Sequence, residues 1–505
     1  MAPATFPCYV MRMPTLTEDL ENLHYEIATE SRLVRTGQKD TLNTAEILKR
    51  HEHLASPSKI KELLAAALIE KKRENKEKLN RQYFAVLGIY LSRMLAEKRD
   101  AFETFLSGAK VHAGGQEIPY YQVLPLLARE PDFDRREALG LSLKSVQQKA
   151  NPLMISMIGG RMKILREELG YKNYAEYCRD KKEMTYTKFS GALEDTLHRT
   201  TTVYLKAAIP WIEQKLKRKF KEIRRWHVPY LFHFDSFNPL FPREKLIPLA
   251  ALTFRAMGLD WDQYPNIKLD LEERPKKNPR ACVITAKIPE EVHLILKPVG
   301  GLTDFETFFH ESGHALHYGS AAPDLAYEFR HLSRSNALTE TYAFLLQNLT
   351  MDEEWLTEIA GVEKSQAGEI RKSRILYDLF MFRRYVGKFT AELLYYQKED
   401  WQNASFYESS LRSATQFIYE PEQYLLDQDS EFYSADYLAA WTVEAQLQEF
   451  MKERFSKRWF ANPKAGEFLL DLWREGDKIS VFDLAKKIDG NVDSTAALER
   501  RFTEI

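Results

Sequence analysis

The chain has 505 residues, 44% of them hydrophobic and 29% charged, with a formal net charge of −1. That length supports a large buried core and would hold two or three domains, while the near-neutral balance points away from nucleic acid and anionic membranes as partners. Cys8, Cys178 and Cys282 are far apart and form no C-x-x-C pair, which argues against a disulfide framework and suits a reducing compartment.

Residues 1–14 lack a charged segment followed by an apolar one, and no apolar run reaches membrane-spanning length. The expectation is a cytoplasmic protein with no membrane partner. Ser56-Pro57, an N-cap followed by a first-turn proline, predicts a helix with Ile60, Leu63, Leu64, Ala67 and Leu68 on one side. The mixed-sign run 71–81 reads as a solvated helix face. Softer joints fall at Gly114-Gly115 and Pro131, at Phe237-Asn238-Pro239, and across 273–279, none with the look of a flexible interdomain linker. Long amphipathic helices are expected over 194–220, 370–394 and 436–455. The clearest strand is 291–297, ended by Pro298 and Gly300-Gly301. It, or the preceding 281–285, is either an edge strand or part of a small hairpin bracing the next helix.

That next helix carries His310-Glu311-Ser312-Gly313-His314. Positions four apart share a helix face, so both imidazoles can reach one metal ion, with Glu311 beside them facing water rather than binding. Zinc suits the pair, since it accepts two His and a carboxylate and keeps a position open. Thr303-x-x-Glu306 reads as a capping box and Gly319 as a C′ residue. Phe305, Phe308, Phe309, Ser312, Ala315 and Leu316 form a stripe beside the His face. His317 is a second supporting donor, a substrate contact or simply a buried polar group.

A third ligand is required, and helix-borne zinc sites take it from a distant His or from a Glu on a following helix. Residues 335–348 read as a capped, mostly apolar helix with Glu340 inside it. A carboxylate is costly to bury unless paired or metal-bound, so Glu340 is the candidate ligand, against the alternative of an exposed helix Glu. Asp352, Glu353 and Glu354 read as solvated turn residues.

With Glu340 thirty positions past His310, the stretch from His310 to His317 resembles the thimet oligopeptidase and oligoendopeptidase F family of gluzincins. Leu169-Gly170-Tyr171-Lys172-Asn173-Tyr174-Ala175-Glu176-Tyr177 and Arg225-Trp226-His227-Val228-Pro229-Tyr230 are similar to family stretches, and the resemblance covers roughly residues 150–450. It implies a mostly α, two-lobed fold with a deep central cleft and a small β element beside the zinc helix. In that fold residues 1–150 roof one end and 151–505 form the catalytic region. It also implies a zinc-dependent oligopeptidase acting on short peptides, with one Zn²⁺ held by His310, His314 and Glu340 and Glu311 as general base. Family phenols that stabilise the oxyanion are matched by Tyr433 and Tyr437, of which Tyr437 is the better candidate. The family pattern breaks where Asp436 replaces Gly, and no histidine follows His331. The alternatives are a metallocarboxypeptidase or dipeptidyl carboxypeptidase of the same fold, whose carboxylate anchor would be sought among Arg330, Arg334, Arg383 and Arg384, and a non-catalytic peptide-binding protein that keeps the zinc fold.

Overall fold

The computed structural model describes residues 15–505; the expectations for residues 1–14, Cys8 included, lie outside the described residues. The chain is 71% helical with small strand elements, and Cys178 and Cys282 are free thiols.

Helix α1 (Leu16–Arg35) opens on a capping box of Thr15 and Glu18. In α2 (Pro57–Ile69) Ser56 accepts from the Lys59 amide as its spacing predicts. Only Ile60, Leu63 and Ala67 of its expected stripe are buried, while Leu64 and Leu68 face solvent. The charged run opens α3 (Arg73–Met94), and the solvated-face reading fails at Arg81. That side chain is buried, pairs with Glu77 at 2.8 Å, and donates to the Leu332 and Asp477 carbonyls. Gly114 and Gly115, both at positive φ, turn a hairpin between β1 (Lys110–Ala113) and β2 (Gln116–Pro119), the conformation such two-residue loops require. Helices α4 (Val123–Arg129), α5 (Lys144–Lys163) and α6 (Tyr186–Leu216) follow. Position 150 falls inside α5. Residues Leu106, Val111, Val123, Leu127, Leu139 and Val146 form a satellite core closed by Trp226, whereas Leu20, Phe84 and Leu87 belong to the main core.

A three-stranded sheet has the order β3 (Ile267–Asp270), β5 (Glu291–Ile295), β4 (Cys282–Lys287). The segment 291–297 therefore supplies the central strand, as its near-complete burial demands, and β4, like β3, is an edge. The 273–279 joint is a knot in which buried Lys277 bonds the Asp270 carboxylate and the Asp270, Glu272 and Leu296 carbonyls.

Helix α7 (Leu302–Gly319) buries Phe305, Phe308 and Phe309 completely, each contributing about 1.5–3 kcal/mol. Its start differs from the expected capping box. Gly301 is the N-cap at φ +96°, a conformation closed to Thr. Asp304 then accepts from the Val299 and Gly300 amides, and Glu306 turns inward to Arg374 at 2.7 Å. Gly319 is the last helical residue rather than a C′; a Cβ there would lie 2.6 Å from Ile267 Cγ1. At Gly313, helix α8 (Ala337–Gln347) crosses so closely that a Cβ would lie 2.5 Å from Ala343 Cα. The small residue inside the motif is what lets the two ligand-bearing helices touch. Asp352 is no solvated turn residue. It is buried, caps the next short helix at Trp355, and pairs with Lys452 at 3.0 Å. Helices α9 (Lys364–Lys398), α10 (Tyr433–Phe455) and α11 (Ala496–Phe502) complete the cleft.

Candidate metal centre

His310 and His314, one turn apart on α7, meet Glu340 of α8 with ligand atoms all within 4.8 Å of one another. The two Nε2 atoms lie 3.4 and 3.8 Å from Glu340 Oε2. Each residue is held from behind. His310 Nδ1 bonds Gln347 Oε1 at 2.9 Å, His314 Nδ1 bonds Thr339 Oγ1 at 2.8 Å, and Tyr433 donates to Glu340 Oε1 at 2.6 Å. With Nδ1 donating, each Nε2 presents a lone pair. Glu340 Oε2 is buried and has no hydrogen-bond partner among the described residues. Three acceptors converging on one point with no donor between them are unfavourable unless a cation joins them. Two imidazoles and a carboxylate fit zinc by donor type.

Burial dominates the electrostatics. It pushes Glu340 up to about 8, against the pull of the Tyr433 hydroxyl, with Glu311 and Asp436 adding to the rise. It lowers His310 to about 4 and His314 well below its ordinary value. Glu311 is likewise raised to about 7 by burial, opposed by the Arg280 charge and the Val283 amide of β4. The edge strand thus lies alongside the helix that carries Glu311. His317 is not a cleft residue. Its ring packs against Tyr318 and Tyr342 at 4.9 and 5.0 Å and it bonds the Gly476 backbone.

Tyr433 and Tyr437 lie one turn apart on α10, with ring centroids 4.8 Å apart, but they face different partners. Tyr433 is engaged with Glu340, while Tyr437 lines a cavity of about 560 Å³ together with His310, Phe344, Gln347 and Tyr385. Tyr385 packs edge-on against Tyr437 at 5.4 Å. The start of α10 is clamped by a row on α9 spaced four residues apart. Arg384 bonds Asp427, Lys388 bonds Asp429, and Glu392 accepts from Ser434 and the Asp429 amide. Asp436, the departure from the family pattern, is buried, pairs with Lys182 at 2.9 Å and accepts from Ser335. It ties α10 to the entry of α8.

Sequence reasoning missed Tyr385, Glu306, Arg374 and Arg280, all lining this cavity. Only Arg280 had a local signal, its place just before an edge strand. The arginines considered as carboxylate anchors are engaged elsewhere. Arg330 donates to the Ile288 carbonyl, Arg334 bonds Glu77, Glu183 and the Lys181 carbonyl, Arg383 bonds the Ala414 and Leu197 carbonyls, and Arg384 holds Asp427.

No protein-family model and no curated protein matches this sequence. Solved structures do match. A structure described as PZ peptidase A with inhibitor 2 superposes with a TM-score of 0.63 at 12% identity, covering 98% of this chain and 97% of the other. A Bacillus anthracis str. Ames protein, named as an oligoendopeptidase F, gives 0.64 at 14% identity over 99% and 97%. The chain therefore shares the mostly helical fold of these two structures along nearly its whole length. Among the described residues no helix is long and apolar enough to cross a membrane.

Proposed function

We propose that this protein is a zinc-dependent oligopeptidase that hydrolyses bonds within short peptides. The observation that carries the reading is the buried, partnerless Glu340 Oε2 facing the Nε2 atoms of His310 and His314, with the Glu311 carboxylate on the same helix. When bound, zinc supplies Lewis-acid polarisation of the scissile carbonyl and makes water a nucleophile at neutral pH. Glu311 orients that water, takes its proton on the carboxylate, and delivers it to the leaving amine. Tyr437 offers its hydroxyl hydrogen to the developing oxyanion. Tyr433, donating to Glu340, is a positioning residue. A cleft walled by helices and an edge strand admits an extended peptide more readily than a folded protein. The likeness in fold to two peptidases supports the reading. The presence of Glu311 and of all three candidate ligands weighs against a non-catalytic binding protein. The engagement of Arg330, Arg334, Arg383 and Arg384 with the protein's own groups weighs against those four as a carboxypeptidase's anchor.

The test is incubation of the zinc-loaded protein with a mixed set of short peptides, with and without a chelator, read by mass spectrometry. Chelator-sensitive internal cleavage is expected. Absence of cleavage by protein carrying one zinc per chain would overturn the proposal.

A further inference from the structure

The cleft continues past the candidate metal centre. A second cavity of about 820 Å³, larger than the first, shares Phe232, Arg280, Tyr377 and Met381 with it. Its far wall comes from a distant part of the chain, where Tyr121 and Leu124 project into it although they are 56% and 59% exposed. Val228 and Pro229 continue the apolar lining. Large apolar groups lining a concave surface mark a binding site more often than they mark packing.

The charges in this chamber are unbalanced. Arg384 is neutralised by Asp427, and Glu420 by Lys144 and Arg224. Arg225 and Arg280 also line the chamber, and neither side chain has an ion pair among the described residues. The Arg225 charge is felt by Asp427 and the Arg280 charge by Glu311, but neither guanidinium is closed off by a direct ion pair. Both therefore repel a peptide's ammonium end and favour a carboxylate, which they can grip bidentately. We propose that this chamber is the subsite for the carboxyl-terminal end of the peptide, with Arg280 and Arg225 receiving the terminal carboxylate and the Tyr121–Leu124 wall receiving an apolar side chain. The identity of the occupant rests on the peptidase reading; the complementarity of the chamber does not.

An acidic side chain would present the same group, so the experiment separates the two sources. Three peptides of one sequence with an apolar C-terminal residue are compared: the free acid, the C-terminal amide, and the amide with glutamate in the last position. Binding of each to the zinc-loaded Glu311→Gln protein is measured by titration calorimetry, and cleavage by the unaltered protein is followed in parallel. The free acid should bind about tenfold tighter than the amide, the scale of one charge-assisted contact. That advantage should vanish in Arg280→Gln/Arg225→Gln, while Leu124→Ala, which removes apolar wall without adding charge, should weaken acid and amide alike. Circular dichroism establishes that each variant is folded, and Arg280→Gln alone, at an exposed position, should already reduce the advantage. Equal affinity for acid and amide, or an advantage that survives the double substitution, overturns the proposal. Recovery of affinity by the glutamate amide overturns the terminal assignment, and its absence supports it. Carboxylate-dependent binding without any cleavage would sink the peptidase reading and leave the chamber standing. Cleavage without carboxylate dependence would do the reverse.

Discussion

Glu340 is buried and Glu311 half-buried, and their different surroundings lead us to expect different roles. Glu340 has one oxygen held by Tyr433 and the other aimed between two imidazoles, so Glu340→Gln should lose metal while keeping its helical circular dichroism. One equivalent of zinc retained in that variant would move the third ligand elsewhere. Glu311 stands outside that cluster and should behave oppositely. Glu311→Gln is expected to retain zinc and lose turnover by about 10²–10⁴-fold, and near-normal peptide cleavage would refute its role. The two tyrosines separate on the same logic. Tyr437→Phe should lower kcat by about 10²–10³-fold with KM little changed. Tyr433→Phe should instead weaken zinc affinity by about 10–100-fold, the usual consequence of losing a group that orients a ligand. Zinc titrations and steady-state kinetics on both variants would expose an exchange of roles.

Helix α9 works as an element by presenting Arg384, Lys388 and Glu392 on one face, four residues apart, to the segment that leads into α10. Asp427 is its tightest anchor. Burial alone would raise this carboxyl, but Arg384, Arg225, Lys388 and the Tyr407 hydroxyl overcome that and hold it well below the usual carboxylate range. A depressed folded-state value contributes stability that is present above the unfolded value of about 3.9 and is lost as pH falls toward the folded value. Asp427→Asn leaves Arg384 buried without its partner and should destabilise the protein by about 3 kcal/mol at pH 7. Urea unfolding should show the gap to the unaltered protein narrowing between pH 5 and pH 3. A gap independent of pH would mean that the charge of Asp427 contributes nothing.

At the scale of the whole molecule the metal would join elements that otherwise meet only by packing. α7 and α8 supply the candidate ligands, α10 steadies one of them through Tyr433, and β4 lies against Glu311. A ligand bound only by the folded state stabilises it by about 2.7 kcal/mol at a hundredfold excess over Kd. Scanning calorimetry should therefore show Tm rising with free zinc and falling with chelator, and a Tm indifferent to both would count against a site that spans these helices. Helix α3 is fastened to the same body. Arg81 donates to the carbonyls of Leu332 and Asp477, and Arg334 reaches back to Glu77. This anchoring explains why the charged run of α3 did not read correctly from composition, since mixed signs say nothing about which cation is buried.

What the sequence determined by itself was local and periodic. Helix spacing put His310 and His314 on one face, the Phe305, Phe308 and Phe309 stripe marked the buried side, and an isolated carboxylate in an apolar helix singled out Glu340. The Ser56-Pro57 start was legible because a cap and its partner lie within one turn. The tertiary structure alone decided that β4 and not the 291–297 segment is an edge, and that Gly301 and Asp304 start the motif helix in place of Thr303 and Glu306. It also parted Tyr433 from Tyr437 and brought the 120–124 wall to Arg280, which stands more than a hundred residues away. Contacts within a helix are set by a fixed 3.6-residue period, whereas contacts between distant segments are set by packing, which leaves no spacing in the chain to read.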